Sequence, residues 1–209
     1  MRQTALTLAL VALLAGTAAA VPVEVRINGE VEYSGINSGP FGDAGPGDPA
    51  NMVFTVDSQI FVDSDMYNVR AYAIDPLSFT MTFGTATAGL QSPYPGTPYF
   101  CIRESDPVAD GFFVTSGDIN WPGELILDEP GILGQFAPHF EVGYEGTTLS
   151  SLDIIDAAGS YGYDGLTSFW YAMFDDWAEA AGLLFTEVII TPMTTATAAT
   201  SWSQVKSLY

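Results

Sequence analysis

Residues 23–33 read VEVRINGEVEY, and the way they divide decides the fold. Val23, Val25 and Ile27 alternate with Glu24, Arg26 and Asn28, and the alternation resumes through Val31 and Tyr33. A period of two marks extended chain with one apolar face. The Asn28–Gly29 pair in the middle admits two readings. It is a strong signal for a two-residue hairpin turn, because both residues tolerate the positive φ that such a turn needs. It also fits one long bent edge strand. Both readings build a β-sheet.

The same pattern recurs outward from this stretch. NMVFTVD (51–57), YNVRAYAID (67–75) and LSFTMTF (77–83) follow a Gly/Pro-rich loop, SGPFGDAGPGDPAN (38–51). Further extended runs are PYFCIR (98–103), DGFFVTS (110–116), ELILD (124–128), HFEVGYE (139–145), SFWYAMFD (168–175) and LLFTEVIIT (183–191). The chain has 21 glycines and 13 prolines, and they punctuate these runs at regular spacing. The pattern predicts an all-β protein, an antiparallel β-sandwich of jelly-roll type with at most one short helix. The helix candidate is DDWAEAAG, a short helical turn ending at Gly182.

The ends read differently from the body. MRQTALTLALVALLAGTAAA (1–20) has a basic start, an apolar stretch too short to span a bilayer, and small residues at its close. It reads as a secretory signal peptide, so the expected locale is outside the cell or at its surface. Residues 21–193 form the predicted domain, and 194–209 a Thr/Ala-rich linker and tail without a membrane span. Lys206, in SWSQVKSLY, is the only lysine. Trp202, Lys206 and Tyr209 read either as part of a frayed terminus or as a short recognition segment.

Charge restricts the partners. The chain holds 25 acids against 5 bases, and loss of Arg2 with the signal leaves 25 against 4, or −21. Such a surface repels nucleic acid and anionic headgroups. Hydrophobic content of 48% argues for a packed core despite the charge. Cys101 is alone, so no intrachain disulfide forms, and it reads as a small buried apolar residue.

Motifs for chemistry are sparse. His139 is the single histidine, and no G-x-S-x-G elbow accompanies it, so it reads as a strand-edge residue rather than a catalytic base. Asp175 and Asp176 beside Trp170 and Trp177 would suit a glycosidase cleft if two carboxylates faced each other there. Asp57, Asp63, Asp65 and Asn68 cluster in DSQIFVDSDMYN and supply hard oxygen donors for calcium, although the spacing is not that of an EF-hand. Their other reading is an acidic solvated turn. Trp121, Trp170 and Trp177 are the candidate stacking platforms for a carbohydrate.

GDPANMVFTVDS (47–58) and YNVRAYAIDPLSFTMTFG (67–84), with DGFFVTSG (110–117) and LLFTEVIITP (183–192), resemble the exported part of bacterial PEP-CTERM surface proteins, which exosortases sort. The resemblance covers most of residues 23–192. It implies an extracellular β-sandwich, often tied to matrix or polysaccharide production. The family's Pro-Glu-Pro motif, transmembrane segment and basic cluster are replaced here by the tail. The expected function is that of a secreted, non-catalytic surface or matrix protein without a cofactor. The alternative is a calcium-assisted carbohydrate-binding module, and a glycosidase-type hydrolase stands third.

Overall fold

The computed structural model describes residues 20–105, 109–132, 134–175 and 179–194. Residues 1–19 of the expected signal peptide and the tail residues Trp202, Lys206 and Tyr209 lie outside them, as do Asp176 and Trp177. The described chain is all-β, with strands β1 (Pro22–Ser34), β2 (Ala50–Asp63), β3 (Val69–Ile74), β4 (Thr80–Phe83), β5 (Ala86–Ala88), β6 (Tyr99–Arg103), β7 (Ala109–Thr115), β8 (Phe136–Glu145), β9 (Gly159–Tyr161), β10 (Leu166–Asp175) and β11 (Glu179–Pro192). Its one helical element among the described residues is a 3-10 turn, Gly39–Phe41.

Residues 23–33 lie within a single strand that is neither a hairpin nor an edge. On one flank β1 pairs with β11, from Val23↔Pro192 to Ser34↔Ala181. On the other it pairs with β2, from Pro22↔Asp57 to Ile27↔Met52. Asn28–Gly29 faces a register shift whose extra residue, Thr186, lies on β11, so the dipeptide stays in the strand without reversing it. The space a side chain would need at Gly29 is already occupied. A Cβ there would sit 2.5 Å from the Leu184 carbonyl oxygen and 2.8 Å from the Tyr171 ring. The Gly29 N–H, beyond the last β1–β2 pair at Ile27↔Met52, donates to Asn51 Oδ1 on β2 at 3.1 Å.

With β1 paired on both sides, the sheet closes. Neighbouring strands run β1-β11-β10-β8-β7-β6-β3-β2 and return to β1, an eight-stranded antiparallel barrel. β4 and β5 extend from β2, and β9 adds to β11. This differs from the two facing sheets of the expected sandwich. Alternation specifies one buried and one wet face per strand, and a closed sheet meets that demand as well as two layers do. The ELILD segment makes isolated bridges, Leu127 to Leu90 and Glu124 to His139, rather than a strand.

The expected helical turn is also corrected. Residues 179–182 begin β11 and pair with 172–175 of β10. Two turns of helix are marginal alone, whereas here each residue gains a ladder partner.

The interior is filled by side chains with no exposed area, among them Phe54, Phe83, Phe100, Phe112, Phe140 and Phe185. Buried tyrosines tie the wall to the ends through their hydroxyls. Tyr171 donates to the Ala50 carbonyl at 2.9 Å. Tyr72 donates to the Leu152 carbonyl at 2.8 Å and accepts from the Ile154 N–H at 2.9 Å, which holds a capping loop over the core. Along β1, Val23, Val25 and Ile27 point inward while Glu24 and Arg26 face out. That is the reverse of a lipid-facing barrel strand. No helix among the described residues is long and apolar enough to cross a membrane.

Candidate functional site: an aromatic groove on the barrel wall

Residues directly opposite in an antiparallel pair share a face. Tyr33 lies opposite Gly182, and Gly182 opposite Ala172, so all three point outward where β1, β11 and β10 meet. Period two then places Trp170 and Phe174 on the same outer face as Ala172, with Ala180 opposite Phe174. The result is an open groove of about 300 Å³ with a floor of small residues and aromatic walls. Tyr33 is 57% exposed and Trp170 49%, while Phe174 is buried. The Tyr33 ring lies on Gly182, filling the space a Cβ would take. Glu32 adds a carboxylate at the edge.

Trp170 rests on the only histidine. The two ring centroids are 4.7 Å apart with planes tilted by 40°. His139 sits opposite Ala172 on β8, is 5% exposed, and makes no hydrogen bond through either ring nitrogen. Burial pushes its pKa down from the ordinary 6.5, and the nearby carboxylates of Glu124 and Glu141 oppose that shift without cancelling it. The neutral imidazole acts as an apolar support beneath the indole.

A pH dependence follows. The folded protein prefers the neutral imidazole, so the unfolded chain takes up the proton first as pH falls. The associated stability is complete above about 6.5 and is lost as pH drops from there through the depressed folded pKa. Urea midpoints measured from pH 7.5 downward should therefore decline through this window, and His139→Phe should flatten that part of the curve. An unchanged slope in the variant would contradict the assignment.

The other sequence candidates separate. Asp57 accepts from the Gln59 N–H at 2.8 Å. It stands six strand positions before Asp63, a separation of up to about 20 Å. Asp63 is held by Arg70, which donates Nε to Oδ1 at 2.6 Å and Nη2 to Oδ2 at 3.0 Å. This pairing holds the Asp63 carboxyl below its usual range. Asn68 donates its amide to the Glu104 carbonyl and to Glu104 Oε2, both at 2.6 Å, and Asp65 lies in the turn between. Among the described residues no group of three or more His, Cys, Asp or Glu is placed to hold a metal ion.

Trp121 packs edge-on against Tyr67, with centroids 5.3 Å apart, near the start of β3. β8, β7 and β6 lie between it and Trp170, so the two indoles form no common platform. Asp175 is wholly buried at the end of β10, where Oδ2 accepts from the Ile132 N–H at 2.6 Å. His139 lies within β8, not at a strand edge. Cys101 is buried with Val69, Ala71 and Phe113 in a second apolar cluster, and burial pushes its thiol pKa up.

Of the groove, sequence reading singled out Trp170 alone. Tyr33 and Gly182 were legible only as the ends of other elements. The available signal was a run of small residues, EAAG, in a chain whose neighbouring strand is aromatic. Compared with protein-family models, curated proteins and solved structures, the chain matches none.

Proposed function

We propose that the chain is an exported, non-catalytic surface or matrix protein that holds a neutral glycan in this groove. The observation that carries the reading is the placement of two exposed rings, Tyr33 and Trp170, around a floor made by Ala172 and Gly182. A pyranose presents a C–H face that stacks on an aromatic ring and a rim of hydroxyls that seek acceptors. The groove supplies both, with Glu32 as the acceptor. Its volume is at the lower end for small-ligand sites, enough for a short stretch of chain rather than an engulfed ligand. A chain with 25 acids against 5 bases repels uronates and sulfated sugars, which favours neutral ones.

Calcium has no part in this mode. The acidic loop begins beside Pro22, and Tyr33 is eleven residues further along β1, a span of roughly 36 Å at strand rise. An ion there would not touch a sugar in the groove.

Retention on a panel of immobilised neutral oligosaccharides tests the proposal, with alginate as the anionic control. Trp170→Ala and Tyr33→Ala should each weaken binding about tenfold, the cost of losing one buried aromatic contact. Trp170→Phe keeps a ring and should retain most of the affinity. Gly182→Ala lifts Tyr33 from the floor and should weaken binding while leaving the thermal midpoint nearly unchanged. Binding to no neutral sugar, or equal binding by Trp170→Ala, would sink the reading.

A further inference from the structure

The pairing of β1 with β2 stops before β2 does. Val21 and Ser58 make the last contact among the described residues, the Ser58 N–H donating to the Val21 carbonyl and the Val21 N–H to Ser58 Oγ, both at 3.0 Å. Beyond it, Gln59–Asp63 keeps β3 on one flank, through Phe61↔Tyr72, Val62↔Ala71 and Asp63↔Arg70. Among the described residues its other flank is a sheet edge. Edges of this kind are usually blunted by charge, proline or a cover, because they template the addition of another strand. Here Ile60 is 59% exposed and Val62 43%, with exposed Met66 close by in sequence.

Three features select the occupant. First, the segment is locally neutral on an otherwise strongly acidic chain. Gln59, Ile60, Phe61 and Val62 carry no charge, and Asp63 is neutralised by Arg70, one of only 5 basic residues. The same guanidinium lies over the Phe61 ring at 4.0 Å. Second, the backbone phase fits. The Ser64 N–H bonds the Val69 carbonyl on the β3 side at 2.9 Å. Alternation along an antiparallel ladder then turns the N–H and C=O of Phe61 and Asp63 toward the open flank. Third, the sequence is self-complementary about Phe61. Antiparallel pairing with an identical segment sets Phe61 opposite Phe61, Ile60 opposite Val62, and Gln59 opposite the neutralised Asp63.

We infer that Gln59–Asp63 is a homodimer interface, at which two copies join β2 edge to β2 edge across a two-fold axis at Phe61. The apolar pair Ile60–Val62 occurs twice, once on each side of the axis, as isologous symmetry requires. The contact is short, so the dimer belongs to the weak, transient class. Elsewhere the two acidic bodies repel, and salt relieves that repulsion.

Sedimentation equilibrium of the exported chain at low and high sodium chloride tests this. The dimer fraction should rise with protein concentration, and the dissociation constant should fall by about tenfold or more at high salt. The double substitution Ile60→Asp with Val62→Asp places like charges directly opposite each other and should leave only monomer. Ile60→Lys with Val62→Lys should do the same. Because all four changes are on exposed positions, each variant should keep the parental circular dichroism spectrum. Mixing the two variants should restore a dimer, since lysines then face aspartates. Monomer at every concentration in high salt would overturn the inference. So would a dimer that survives the aspartate pair, or one that is lost only on deletion of 195–209.

Discussion

Gly29→Val is expected to destabilise the protein by about 3 kcal/mol or more, at the upper end of what overpacking costs. The new side chain has nowhere to go. Its Cβ alone would stand 2.5 Å from the Leu184 carbonyl oxygen and 2.8 Å from the Tyr171 ring. The carbonyl belongs to β11, which is paired with β1 on either side of the bulge. The ring is fully enclosed, and its hydroxyl is tied to the Ala50 carbonyl. Neither neighbour can yield without opening the seam that closes the barrel. A solvent-exposed turn at Asn28–Gly29 would predict a smaller loss, about 1 kcal/mol, from a poorer turn residue. Urea unfolding of the variant separates the two, with Asn28→Ala as the mild reference.

Asp110→Ala should cost about 3–5 kcal/mol, because two hydrogen bonds to a buried charged group are lost together. Asp110 has no exposed area. Its Oδ1 accepts from the Ser105 N–H at 2.8 Å and its Oδ2 from the Leu149 N–H at 2.5 Å. These bonds fasten two loops to β7. One carries Ser105 in the left-handed region, at φ 51°, where a non-glycine residue needs support. The other leads into Ile154 and Ala157, which pack on the core. Asp110→Asn keeps one acceptor and turns an amide against the second N–H, so it should fall near half the loss. A change within about 1 kcal/mol for the alanine variant would show that the loops hold without the carboxylate.

Much of the wall was readable from residue order. Nine of the eleven strands coincide with alternating or apolar runs, because burial on one face leaves a period of two in the sequence. Closure was not readable. It depends on β1 meeting β2 and β11, and β11 lies about 150 residues away in sequence, a distance over which pattern carries no pairing information. Asn28–Gly29 was ambiguous for the same reason. A turn and a crowded strand position both reward glycine, and Tyr171, far along the chain, decides between them.

The groove was half visible. Trp170 drew notice as an aromatic near acids, but its partners are defined only by register. Tyr33 meets Gly182 through the β1–β11 pairing, and Gly182 meets Ala172 through β10–β11. The small residues that make the floor, Ala180 to Gly182, resembled helix formers because propensity ignores what a neighbouring strand brings. The acidic loop was visible as a cluster in sequence. In space, Arg70 takes Asp63, and Glu104 takes Asn68.

The functional account is tested most directly by following the tryptophan indole N–H and tyrosine ring signals in an NMR titration with a neutral oligosaccharide drawn from the retention panel. Saturable shifts of Trp170 and Tyr33, with Trp121 unmoved, are the predicted result. Shifts centred on Trp121, or no saturable shift at Trp170, would contradict it.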